Sequence, residues 1–134
     1  MDKDAQQKLM RFQVLESNLS MVRNKHEEAL KRLGELEVTR RTIEELKEVK
    51  PSAALISIGS NNFVEGKMGN TDSIIVGIGS GVAVKKKRED ALRIIDGHVK
   101  QLSNVIGELA RDERKIVEEL QKLQSELQKI SKGK

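Results

Sequence analysis

A chain of 134 residues with 34% charged side chains, 1% aromatic ones and no cysteine is one domain's worth of sequence. It lacks the rings that fill a thick globular core, and it excludes disulfides, thiolate chemistry and cysteine-held metals. The net charge of +4 is local: residues 1–50 carry 11 basic and 10 acidic side chains, residues 89–134 carry 9 of each, and residues 51–88 carry 5 against 2.

Residues 1–50 form the first segment. Positions 12, 15, 19, 22, 26, 29, 33, 36, 40 and 43 step alternately by three and four, and all but His26 and Arg40 are apolar. That spacing predicts a coiled-coil helix. Pro51 closes it, because the residue before a proline disfavours helix. The opening Met1-Asp2-Lys3-Asp4 has no apolar signal region, and no apolar run nears the roughly 20 residues that span a bilayer. A soluble, cytoplasmic protein is expected.

Residues 51–88 read differently. Leu55 to Ile58, Phe63 to Met68, Ser73 to Ile78 and Val82 to Lys87 are short strand-like runs. Gly59-Ser60-Asn61-Asn62, Gly69-Asn70 and Gly79-Ser80-Gly81 separate them as turns. Two tandem β-hairpins are predicted. Lone hairpins are marginal in water and their edges seek other strands, so this segment should pair with itself and with other subunits.

Residues 89–134 return to heptads. Positions 92, 95, 99, 102, 106, 109, 113, 116, 120, 123, 127 and 130 are apolar in eleven of twelve cases, the exception being Glu113. The fold class is therefore α+β: a long antiparallel two-helix coiled coil with two central β-hairpins. An antiparallel register pairing Phe12 with Ile130, Leu19 with Leu123, Leu33 with Leu109 and Ile43 with Val99 sets a positions against d positions throughout. It brings Glu113 within reach of His26 and places Arg40 opposite Leu102.

Tempting motifs have plainer readings. Gly77-Ile78-Gly79-Ser80-Gly81 is followed by a strand, whereas a dinucleotide site needs those glycines to open a helix. Lys85-Lys86-Lys87-Arg88 has no interleaved aromatic to stack bases, and reads as a solvated strand end or edge protection. His26 and His98 lack the carboxylate spacing of a metal triad. With no nucleophile constellation either, neither an enzyme, a metal nor a cofactor is expected.

The order helix, two hairpins, helix resembles an α-class subunit of the prefoldin family. Leu55-Ile56-Ser57-Ile58-Gly59, Phe63-Val64-Glu65-Gly66-Lys67, the run from Asn70 to Val84, and Glu89-Asp90-Ala91-Leu92 carry the likeness. The resemblance implies an ATP-independent chaperone that holds non-native clients and delivers them to a group II chaperonin. It also implies a hexamer of two α-class and four β-class subunits joined by an intersubunit β-barrel. Leu55, Ile56, Ile58, Phe63, Val64, Ile74, Ile75, Val76, Ile78, Val82 and Val84 would carry the assembly. Clients would bind at the helix ends, through Leu9, Met10, Phe12, Leu15, Leu123, Leu127 and Ile130. A filament-forming relative, a plain coiled-coil scaffold and, least supported by the balanced charge, a nucleic-acid-binding helical arm are the alternatives.

Overall fold

The computed structural model describes residues 2–133. Helix α1 spans Lys3–Glu45, and Leu46–Glu48 add a single 3-10 turn. Strands β1 (Ser52–Gly59), β2 (Asn62–Met68), β3 (Ser73–Gly79) and β4 (Val82–Lys87) follow, and helix α2 runs Arg88–Lys132. The predicted order of elements is the observed one.

The chain divides into two units. One comprises Met1–Gly34 with Gln101–Lys134; the other is Glu35–Lys100. In the first, Asp2 caps α1: its Oδ1 accepts the Ala5 amide at 2.7 Å and satisfies one of the orphan donors of the first turn. Lys129 and Lys132 in the last turn of α2 complement the negative end of its dipole. Ala5, Leu15 and Ala29 are the buried apolar residues of this unit, and the remaining predicted seam positions are half-buried. A two-helix seam has no third layer, so its large side chains stay partly uncovered.

The seam positions are those predicted, but the register is not. Lys8 Nζ reaches Glu126 at 3.4 Å, Arg11 reaches Glu119 at 3.2 Å and Arg23 reaches Glu113 at 3.0 Å. In the other unit Arg40 is bonded to Asp96. The residue numbers of these pairs add to between 130 and 136, one heptad short of the predicted pairing. Phe12 is therefore level with Leu123 and Leu33 with Leu102, not Leu109; Ile43 is level with Leu92. The reason is simple: a slide of seven residues still sets every a against a d, so the apolar pattern is blind to it. Flanking charges break the tie.

Each hairpin is a separate two-stranded antiparallel sheet. The expectation that the segment also pairs with itself does not hold, since no ladder joins β2 to β3 or β1 to β4. The two hairpins repeat one another at an offset of twenty residues. Ile56 faces Val64 and Gly59 faces Asn62 in the first; Val76 faces Val84 and Gly79 faces Val82 in the second. Both turns place two central residues at positive φ, Ser60 and Asn61 in one and Ser80 and Gly81 in the other. That conformation matches the twist of flanking strands. At Gly66 a Cβ would lie 2.6 Å from Ile56 Cδ1, the far end of an exposed side chain on the neighbouring strand, which would have to swing aside to admit it.

The connector Asn70-Thr71-Asp72 is tied to both helices. Thr71 Oγ1 donates to the Leu46 carbonyl at 2.9 Å, at the end of the first helical stretch. The Arg88 guanidinium, 7% exposed as a residue, donates to the Thr71 carbonyl at 3.0 Å and to Asp72 Oδ1 at 3.1 Å. The Arg88 amide donates to the Asp72 carbonyl. The predicted four-residue basic run thus splits: Lys85, Lys86 and Lys87 are exposed, while Arg88 is a buried fastener.

Candidate functional site

At the ends of the helices, the seam residues named from sequence take three different positions. Met10 is 65% exposed and Leu9 is also exposed. Phe12, Leu123, Leu127 and Ile130 are half-buried. Leu15, 3% exposed, is closed inside the seam and reachable only if the helices part. The heptad reading omits Val14 and Met21, which are exposed apolar residues on the outer face of α1. With Met10 they recur at i, i+4 and i+11, so they share a stripe. A search for a second helical period beside the seam finds them. Methionines in such a stripe adapt to varied apolar surfaces.

Charges staple this end. Lys8 bonds both Asp4, at 3.2 Å, and Glu126, and its ammonium is held above the ordinary value mainly by the Asp4 bond. Glu113 accepts from Arg23, and its other oxygen lies 3.5 Å from His26 Nδ1. The Arg23 bond is the main reason its carboxyl is held below 4.5, with the His26 contact adding to it. In the unit Glu35–Lys100, Arg40 binds Asp96 and Glu44 together, which is how a cation sits at a seam position. The same bond lowers the Asp96 carboxyl.

Exposed apolar side chains are denser along the hairpins than along the helices. Leu55 is 68% exposed and Ile75 67%, and Ile56, Ile58, Phe63, Val64, Ile78 and Val82 are exposed too. Ile74, Val76 and Val84 are half-buried. These side chains, on sheets with unpaired edges, leave apolar surface and strand edges open. Among the described residues no group of three or more His, Asp or Glu could hold a metal ion. No described helix is long and apolar enough to cross a membrane.

The comparisons agree with this architecture. The family model for "Prefoldin subunit" matches residues 15–133. The prefoldin subunit alpha of Pyrococcus horikoshii is 28% identical over 137 residues, covering 97% of this chain and 92% of that protein. That of Methanobrevibacter smithii is 30% identical over 92 residues, covering 58% of this chain and 63% of the relative. Among solved structures, the filamentous PFD of Methanocaldococcus jannaschii superposes with a TM-score of 0.74 at 20% identity. It covers 85% of this chain and 95% of that one, and so shares the fold. Two heptad helices around two hairpins, matched from residue 15 to 133, make this chain a member of the prefoldin family, similar to its alpha subunits.

Proposed function

We propose that the chain is one arm of a hetero-oligomeric, ATP-independent holdase that grips non-native proteins at the helix ends. One observation carries the reading. Near the helix ends Leu9 and Met10 are exposed and the seam residues Phe12, Leu123, Leu127 and Ile130 are only half-covered, apolar surface that stays open among the described residues. A client that exposes its own apolar segments fits such a surface, and no ATP is needed to hold it.

The open hairpin faces support assembly with β-class subunits, two α-class chains to four, and an intersubunit barrel removes the edges. Several arms then act together on one client, which raises avidity without new contacts. Delivery to a group II chaperonin in the cytoplasm completes the proposed role. The test is to mix the chain with a β-class prefoldin subunit, measure the mass, and follow aggregation of a chemically unfolded protein without ATP. Suppression by the hexamer supports the reading; a hexamer without effect reduces the chain to a scaffold.

A filament-forming relative is the second reading, favoured by the open edges on both hairpins. It requires open-ended growth of the chain alone, which the same mass measurement detects.

A further inference from the structure

The two hairpins are copies in register but not in charge. Twenty residues separate Leu55 from Ile75, Ile56 from Val76, Gly59 from Gly79 and Val64 from Val84, with the same cross-strand partners. At the outer end the copies diverge: Glu65, Gly66 and Lys67 on β2 correspond to Lys85, Lys86 and Lys87 on β4. Across their own hairpin the three lysines face Ile75, Ile74 and Ser73, none of them acidic. All three are exposed, and none forms an ion pair among the described residues.

Resting on the reading that the hairpins carry assembly, we infer that β4 is the selective edge: it admits a strand of acidic character from a different chain and refuses a second copy of this one. An antiparallel pairing of two identical strands about a two-fold axis is self-matching. Centred on Gly66, such a pair of β2 strands sets Glu65 against Lys67 twice. Centred on Lys86, a pair of β4 strands sets lysine against lysine at three successive levels. Directly opposed like charges destabilise a sheet, while opposite ones support it. The exposed apolar residues of the same hairpin, Ile75 opposite Lys85 and Ile78 and Val82 at the turn end, still need cover. The occupant must therefore be apolar along the strand and carry carboxylates at the level of Lys85 to Lys87. A nucleic-acid strand fits less well, because β3 and β4 offer no aromatic for stacking and the fourth basic residue, Arg88, is buried and engaged.

The test needs only this chain. The full-length protein and its K85E/K86E/K87E variant are weighed by light scattering at about 0.1 M salt, each alone and as an equal mixture. The mixture is expected to reach roughly twofold the mass of either component, because β4 then meets an acidic β4 across the two-fold. It should fall back near 1 M salt, where screening shortens to about 3 Å. A mixture no heavier than its components, or a wild-type chain that alone reaches the mixture's mass, overturns the inference. Circular dichroism checks that the variant folds. If it does not, K85Q/K86Q/K87Q must self-associate more than the wild type at low salt, and an unchanged mass overturns the inference. Lysine-dependent binding of a single-stranded oligonucleotide, with no growth of the mixture, replaces it with a nucleic-acid surface. The mixture reports strand pairing alone, so a chain that passes here and fails to hold clients overturns the chaperone reading and leaves this one standing.

Discussion

His26 and Glu113 meet across the seam, Nδ1 to Oε2 at 3.5 Å, while Arg23 donates to the other oxygen of the same carboxylate at 3.0 Å. Two basic residues of α1 thus converge on the one acidic residue in the α2 seam. The cluster has a pH signature. Glu113 is held below its ordinary value of 4.5, chiefly by Arg23. A carboxyl depressed in the folded state adds stability that is present above its ordinary value and is lost as pH falls through the lowered one. Melting of the full chain between about pH 5 and pH 3 should therefore fall more steeply for the wild type than for Glu113→Gln. Parallel profiles would remove Glu113 from the acid response.

Replacing the charge by an apolar residue should act in two ways. Glu113→Leu continues the leucine row, so the melting temperature should rise by a few degrees. It also removes a polar mark that distinguishes one heptad register from the next. The chain has no cysteine, so engineered pairs are clean reporters. Leu33→Cys with Leu102→Cys should oxidise readily in the wild-type background, and Leu33→Cys with Leu109→Cys should not. Appearance of the second crosslink in Glu113→Leu is the expected loosening. A second crosslink that forms in the wild type would contradict the register.

Arg88 and Lys87 are neighbours with opposite expectations. Arg88→Ala strips the donors from the Thr71 carbonyl and Asp72, and should destabilise the chain by about 1–3 kcal/mol in urea unfolding. Arg88→Lys should restore part of the loss at most: both bonds leave the single nitrogen Nη2, which an ammonium can imitate, but on a differently shaped stem. Lys87→Ala should stay within about 0.5 kcal/mol of the wild type. Equal effects at both positions would show that the connector is not fastened as described.

Charging the hairpin faces should abolish assembly without unfolding the arm. Ile58 and Ile75 are both largely exposed in the single chain. An aspartate at either costs that chain little, but would be buried against a partner strand. Ile58→Asp with Ile75→Asp should leave helicity intact and lower the mass of the complex with a β-class subunit to that of its parts. Survival of the full oligomer would place the assembly contacts elsewhere.

Much of this fold is legible in sequence because its signals are periodic. The seam was readable residue by residue, from Phe12 to Ile43 and from Leu92 to Ile130, since helical burial follows spacing alone. The hairpins were readable from turn residues such as Ser60-Asn61 and Ser80-Gly81. Register was not, because a heptad slide keeps a positions opposite d positions while exchanging the partners, and only pairs such as Lys8 with Glu126 distinguish the alternatives. The His26–Glu113 contact was foreseen despite the wrong register, since Glu113 lies one turn from the residue opposite His26 in either. Arg88 could not be told from the lysines before it: its burial depends on Thr71 and Asp72, sixteen or more residues away in sequence. Val14 and Met21 are not legible in the seam pattern, because they lie off the heptad positions on the other face of α1.

The claim that clients bind at the helix ends is tested most directly by removing them. Deleting residues 1–15 together with 124–134 takes away Leu9, Met10, Phe12, Leu15, Leu127 and Ile130, and keeps both hairpins and the seam layers from Leu19 onward. Aggregation of a large unfolded client is followed with complexes of a β-class subunit and either the full-length or the shortened chain, at matched concentration. The chaperone reading predicts a complex that still assembles but loses most of its protection, with the greatest loss for clients that engage several arms. A shortened complex that protects such a client as well as the full-length one would contradict it, and would move the client site away from the helix ends.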